Sequence, residues 1–371
     1  MTKRWMDEQQ ILDVLWGATL MGGGGGGSLQ PALELLEAFK RRFPEKAVRI
    51  LLYEAEDMEP SMFAGVTASM GAPTAIKNKD FFAITANVFD ALTEMAAKLD
   101  PPRSIAYSYG VELGGFNTFV PILTSLLNDI PFIDADGAGR AVPALNTLLL
   151  HINGYNTTPL VMADEYNNRL TIQTADPRDA ETAEEICRNI CGAFKMQAGV
   201  AGWLASRENF LDGLPCGTIT RCEQIGHILR SCAGTDQNAF ELLHAQSTVE
   251  CNCLTEGEVV SIENVLEKGF DYGKVHIAGG NGDWVISYQN ENLMIARNDT
   301  AFMTLPDIIC CYDKETGIPL TNADICTGQR IVVGAIRADM KWWRNGDMFR
   351  VWEPLLKRIG YCGGSILYGE N

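Results

Sequence analysis

SIAYSYGVELGGFNTFVPILTSLLNDIPFIDADGAGR, residues 104–140, is the stretch on which the fold turns. SIAYSYG has the short apolar and aromatic texture of a buried strand, FNTFVPILTSLLN that of a helix, and PFIDAD that of a second strand. Strand, helix and strand joined by short turns form a crossover unit, in which the two strands lie parallel with the helix on one face of the sheet. Glu112 and the run Asp134 to Arg140 each follow or end a strand, the position where such sheets present ligand-binding loops.

The same alternation continues toward the N-terminus. FFAITANVFDALTEMAAKL reads as helix, FAGVTASM and AVRILLYEA as strands, and LQPALELLEAFKRRF as a helix with Leu29, Leu33, Leu36 and Phe39 on one face. Ser28 is placed to cap that helix. Six glycines, Gly22 to Gly27, separate it from an opening helix containing Ile11, Leu12, Leu15 and Trp16. Residues 1–170 are therefore expected to form an α/β domain with a glycine-rich loop and a largely parallel sheet.

Beyond it the texture changes. The polar run TADPRDAETAEE reads as an inter-domain crossing that leads into ICRNICGAF, and Gly217-Thr218 can start the helix ITRCEQIGHILRSC. From about Ser247 the chain breaks into short apolar runs such as VECNCL, EVVSI, KVHIAG, DWVISYQ, ENLMIARN, DIICCY and RIVVGAI. Residues 171–371 are expected to form a mainly β domain, a sandwich or barrel with embedded helices. The whole is a two-domain α and β chain.

Composition agrees with a packed globular protein: 371 residues exceed what one core usually supports, with 46% hydrophobic and 21% charged residues. A formal net charge of −17 repels a phosphate backbone, so nucleic acid is not an expected partner. Asp7, Glu8 and Asp13 interrupt the apolar residues near the start, and no stretch has the roughly 18 apolar residues that cross a bilayer. The expected location is the cytoplasm, away from membranes. The eleven cysteines, from Cys187 to Cys362, include no CxxC pair, which suits free thiols in a reducing compartment. Cys216, at a helix start, is the one best placed for a lowered pKa.

Candidate chemistry gathers in the opening stretch. Glu112, Asp134 and Asp136 supply carboxylates, Asn117 an amide and Arg140 a guanidinium around glycine turns. Crowded carboxylates raise one another's pKa and can act as acid or base; the alternatives are turn caps or a hard divalent cation held through oxygen. No metal-binding spacing supports the cation, so none is assigned. Gly24, Gly25 and Gly26 offer backbone amides to an anion or serve as a flexible connector. In the second half, Asn290 and Glu291 lie between two strand patterns, where they form a hairpin turn or read a planar amide-like ring. With four scattered histidines and no GxSxG, a Ser-His-Asp hydrolase has no support.

Taken in order, the glycine loop, Gly71-Ala72-Pro73-Thr74, Glu112-x-Gly-Gly-x-Asn117, Asp134-Ala-Asp-Gly-x-Gly-Arg140, Pro143, Gly217-Thr218, Asn290-Glu291, Pro306-Asp307-Ile308-Ile309 and Asp313-x-x-Thr-Gly317 resemble the S-methyl thiohydantoin desulfurase-like family. That resemblance implies a hydrolase of hydantoin-like five-membered rings, in which water replaces sulfur and a thiol leaves. It would give Asp134 or Asp136 the base role, Glu112 the second carboxylate role, and Asn117, Arg140 and Asn290 orienting roles. The alternative is a non-catalytic small-molecule-binding protein or an accessory subunit of a hydantoinase-like complex. Homo-oligomerisation and the identity of the ring are left open.

Overall fold

The computed structural model describes residues 3–71, 79–267, 269–344 and 348–369. The first half comprises β1 (Arg4–Asp7), α1 (Glu8–Met21), α2 (Leu29–Arg42), β2 (Arg49–Tyr53), β3 (Met62–Gly71), α3 (Phe81–Ala97), β4 (Ser104–Gly110), α4 (Gly115–Asn128) and β5 (Phe132–Asp136). After α5 (Leu149–Ile152), β6 (Leu160–Ala163) and β7 (Arg169–Ile172) come α6 (Ala180–Ile190), β8 (Gln197–Ala205), α7 (Arg207–Gly213), α8 (Thr218–Cys232) and α9 (Ala239–Gln246). The remainder holds β9 (Cys251–Glu267), β10 (Phe270–Gly279), β11 (Gly282–Gln289), β12 (Glu291–Arg297), β13 (Thr300–Thr304), β14 (Ile308–Asp313), β15 (Pro319–Leu320), β16 (Arg330–Ile336) and α10 (Met348–Arg358).

The N-terminal α/β domain is built on a sheet of order β1-β2-β5-β4-β3-β8-β6-β7. Its centre, β2-β5-β4-β3, is parallel, as the crossover pattern requires, but β1, β8 and β7 pair antiparallel, so the sheet is mixed. β1 is four residues of which only Met6 is buried, too short for a periodic signal to show. β5 is buried along its whole length, which places two aspartates of its FIDAD sequence in the interior. Asp134 and Asp136, two residues apart, project from the same side of that strand.

The C-terminal domain is mainly one antiparallel sheet of order β13-β12-β11-β10-β9-β16-β14-β15, with β13 and β15 at its edges. The pairings among the described residues form an open ladder and do not close a barrel. The runs VECNCL and EVVSI, which look like separate strands, belong to the single 17-residue β9. An irregularity in its pairing with β16 lies between Val333 and Gly334, opposite Leu254, and beyond it the polar residues Thr255 to Gly257 pair in regular register with Val333 to Ile331.

The two halves of the chain interlock. β8, from the second half, pairs with both β3 and β6 in the first sheet, and a boundary at residue 170 falls within β7. α8 packs on α1 at backbone distance: a methyl group on Gly17 would lie 1.8 Å from the Cys222 carbonyl oxygen, and one on Gly226 would lie 1.7 Å from that of Asp13. One apolar core joins Ile11, Leu15, Phe119 and Ile225 to Ile308 and Val332 of the second sheet. This fixes the carboxyl edge of the first sheet against the second domain.

Gly17→Ala and Gly226→Ala are each expected to destabilise the protein by about 3 kcal/mol or more, because the obstructing atoms are backbone and cannot rotate away. Gly280→Ala, where an added methyl meets nothing within 4 Å, should stay within about 0.5 kcal/mol of the parent. Chemical denaturation measures all three; equal stabilities would show that the helices do not approach as described.

Candidate functional site

The glycine loop is a buried wedge between the domains. It follows the C-terminus of α1, where the Gly22 amide donates to the Ala18 carbonyl at 2.8 Å. Gly24 and Gly26 adopt φ of 89° and 71°, a region open to glycine and strained for other residues. The Asn292 amide donates to the Gly23 carbonyl at 2.8 Å, and the Asn322 amide to the Gly24 carbonyl at 2.8 Å, both from the second domain. From the first domain, the Asn117 amide donates to the Gly26 carbonyl at 3.0 Å. Gly114 crosses the loop so closely that a methyl group on it would lie 2.2 Å from the Gly26 carbonyl oxygen. The two glycine segments of the sequence are therefore packed on each other.

Glu112 is held at this crossing. Its Oε1 accepts from the Asn117 side-chain amide at 2.6 Å and its Oε2 from the Val142 backbone amide at 2.8 Å. Burial, aided by the charges of Asp136 and Glu184, pushes the carboxyl up to about 7 against the lowering effect of those two hydrogen bonds. Glu291 approaches from the second domain. A methyl group on Gly25 would lie 2.1 Å from its Oε1, and its buried Oε2 has no hydrogen-bond partner. Burial first, and the charge of Glu112 second, hold the Glu291 carboxyl well above the ordinary range. Arg140 and the Gly26 amide offset this in part.

Arg140 is fully buried and binds backbone oxygens. Its Nε donates to the Ala141 carbonyl at 2.9 Å, Nη1 to Pro306 and Asp307 at 2.8 and 3.3 Å, and Nη2 to Asn292 at 3.2 Å. It ties the Asp-Gly-Ala-Gly-Arg turn to two segments of the second domain. Burial draws its pKa down to about 10 against the opposing charges of Glu291, Asp307 and Glu112. The Trp352 ring lies 5.9 Å from the guanidinium.

The two aspartates of β5 face α8. Oδ1 of Asp134 accepts from the Ile219 and Thr220 amides at 2.8 and 3.0 Å, while the Thr220 hydroxyl donates to Oδ2. The first turn of α8, whose N-cap is the glycine Gly217, is thus capped by a residue 85 positions away. Ser28 does occupy an N-cap, but its hydroxyl pairs with that of Thr321 at 3.0 Å and makes no cap bond. Oδ1 of Asp136 accepts from Ala138 and Gly139 amides at 2.7 and 2.6 Å. Burial pushes Asp136 up to about 7, and the Thr218 hydroxyl beside it lowers it in part, although Oδ2 and that hydroxyl both lack a partner of good hydrogen-bond geometry.

Of the residues singled out by sequence, Glu112, Asn117, Glu291, Arg140 and Gly24 to Gly26 converge at the junction. Asp136 is close enough to act on Glu112, whereas Asp134 is engaged by α8. Asn290 sits at the β11–β12 turn with φ 55°, where its Oδ1 accepts from the Asp271 amide at 2.9 Å, so the hairpin role holds its side chain. Ala72 to Thr74 lie outside the described residues. Cys216 does not have a lowered pKa: burial pushes it up to about 12. All eleven cysteines are free thiols. Among the described residues, no three acidic, histidine or cysteine side chains are grouped to hold a metal ion. Nor is any described helix long and apolar enough to cross a membrane.

Sequence reading missed Glu184, Asn292 and Asn322 as contributors. Glu184 accepts from the Leu145 amide at 2.9 Å, bonds Arg188 through its other oxygen at 2.7 Å and helps to raise the pKa of Glu112. On an amphipathic helix it looks like any solvated acid, and only the packing of α6 buries it. The Asn322 amide side chain bonds Oδ1 of Asn292 at 2.9 Å, and no local pattern links these two residues.

A carboxyl whose pKa is higher in the folded chain than in the unfolded one binds its proton more tightly when folded. Its stabilising contribution is complete below the unfolded value and is lost as pH rises through the folded value. For Asp136 that window runs from 3.8 to about 7. Asp136→Asn should therefore gain stability relative to the parent as pH is raised from about 5 to 8, by on the order of 2 kcal/mol. Denaturant titrations at several pH values test this, and a difference that stays constant across the range contradicts it.

Comparison with known proteins gives a consistent placement. A crystal structure of a protein from Chromobacterium violaceum, from a structural genomics effort, superposes with a TM-score of 0.84 at 23% identity, covering 98% of this chain and 99% of that one. It shares the fold. No curated protein matches the chain. The S-Me-THD-like N-terminal domain model matches residues 9–174, and the S-Me-THD-like C-terminal domain model matches residues 178–355. With both domains present in order, the chain belongs to the S-Me-THD-like family, the S-methyl thiohydantoin desulfurase-like proteins.

Proposed function

We propose that the protein is a hydrolase that removes sulfur, as a thiol, from an S-methyl thiohydantoin or a related five-membered ring. The observation that carries this reading is the pair of buried carboxyls, Glu112 near 7 and Glu291 well above its ordinary range, brought together from different domains. At neutral pH one member of such a pair can accept a proton while the other donates one.

The chemistry would use both. Water attacks the ring carbon bearing the S-methyl group, and its proton passes to ionised Glu112. The electron pair of the C=N bond moves to the ring nitrogen, which takes the proton of Glu291. The tetrahedral carbon then loses its hydroxyl proton to Glu291 and re-forms C=O. The C–S bond breaks, and the departing thiolate takes the proton held by Glu112. Both carboxyls return to their starting states, and the products are a hydantoin and methanethiol.

The other residues position this pair. Asn117 and the Val142 amide orient Glu112, and the Gly24 to Gly26 backbone fits against Glu291. Arg140 holds the domains in register and tempers the accumulated negative charge. Asp136 orders the turn that carries Arg140, and Asp134 fixes α8 beside it. The site suits a small neutral ring in preference to a carboxylate-bearing one, since an added anion beside ionised Glu112 would meet like charge.

Purified protein should release methanethiol from an S-methyl thiohydantoin. Glu112→Gln and Glu291→Gln, which keep size but not proton exchange, should each lower kcat by about 10²–10⁴. Asp134→Asn should cost about 1 kcal/mol of stability through the weakened cap and less than tenfold in rate. Parent-like turnover, within about threefold, by both glutamine variants would remove the acid–base assignment. Ring binding without any thiol release would favour a non-catalytic binding protein.

A further inference from the structure

We propose that the side-chain amide of Gln289 reads the N–H and C=O edge of the bound ring and so sets which nitrogen must be unsubstituted. This rests on the ring-hydrolysis reading above and adds a specificity residue to it.

β11 and β12 turn tightly around Asn290, and Gln289 pairs directly with Glu291 across the turn. Directly opposed residues of an antiparallel pair project from the same face, so the Gln289 amide stands beside the Glu291 carboxyl. On its other side Gln289 pairs with Tyr272, which shares that face with Phe270 two residues earlier in β10. A row of Phe270, Tyr272, Gln289 and Glu291 thus leads along one sheet face to the junction where Glu112 lies.

Burial makes the row informative. Gln289 is 2% exposed and Glu291 3% exposed, yet Oε1 of Gln289 and Oε2 of Glu291 have no hydrogen-bond partner. Buried polar atoms in folded chains are nearly always satisfied, and the unpartnered Gln289 oxygen marks a place open to a donor supplied from outside. Such donors are present on a five-membered cyclic amide. A carboxamide carries a donor and an acceptor in one plane and can form two antiparallel hydrogen bonds with an –NH–C(=O)– edge. Protonated Glu291 would then address the neighbouring ring nitrogen. Methylating the nitrogen that faces Gln289 removes the donor and leaves the buried amide oxygen unsatisfied, the circumstance in which a site rejects an analogue strongly.

The test uses hydantoin and 3-methylhydantoin as probes, with binding measured by calorimetry to the parent and to Gln289→Met. The parent should prefer hydantoin by about tenfold or more, and Gln289→Met should bind the two within about threefold of each other. A parent that binds both probes equally overturns the Gln289 assignment and leaves the hydrolase reading standing, and this comparison does not depend on the variant folding. A preference kept unchanged by folded Gln289→Met also overturns it. A parent that binds neither probe, shown alongside absence of thiol release from an S-methyl thiohydantoin, overturns both readings together.

Discussion

Three carboxyls, Glu112, Glu291 and Asp307, act on one buried guanidinium, that of Arg140, at the place where the two domains meet. Arg140 gives its hydrogen bonds to carbonyl oxygens of both domains and none to a carboxylate, so its charge is shared among the acids through space. One positive charge cannot balance three buried negative ones at low cost, and the system relieves itself by holding protons. Asp307 shows the same response: its oxygens accept from the Ala338 and Tyr368 amides at 2.7 Å each, and burial still raises its pKa. The raised pKa values of Glu112 and Glu291 are in this sense a consequence of burial and charge balance at the junction.

That balance requires close approach of backbones, which explains the composition of the surrounding loops. A side chain at Gly25 would strike Glu291, and one at Gly114 would strike Gly26. The glycines serve contact between chain segments: the Gly23 and Gly25 amides donate to the Leu20 and Gly22 carbonyls, and carbonyls of the loop accept from the Asn292, Asn322 and Asn117 amides. The interlocking of β8 and α8 with the first half has the same effect at larger scale. Neither domain can shift far without disturbing the helix contact at Gly17 and Gly226. A site assembled from both domains gains geometric precision from this restraint, which catalysis by positioned acids and bases needs.

Two grooves at the surface, of about 350 and 150 Å³, are lined by residues such as Ala91 and Arg169 in one case and Arg221 and Arg337 in the other. Neither includes Glu112 or Glu291.

Local sequence determined a large part of this architecture. Strand and helix periodicity between residues 104 and 140 specified the parallel crossover, and the change of texture after Ser247 specified a mainly β second domain, because both signals arise within a few residues of each other. Glu112, Asn117 and Arg140 were visible as candidates through their position after strands and beside glycines, and Glu291 through its place between two strand patterns. Which of them act together was decided only by tertiary structure. Asp134 and Asp136 look equivalent in FIDAD, yet α8 claims both oxygens of one and leaves an oxygen of the other unpartnered, a difference set by a helix more than 80 residues away. The pairing of Glu112 with Glu291 spans 179 positions, the difference between their numbers, and the burial that raises both pKa values exists only once the domains close on them. Local patterns report which face of an element is apolar; the dielectric surroundings and charge partners of an ionisable group depend on distant segments, and no local spacing encodes those.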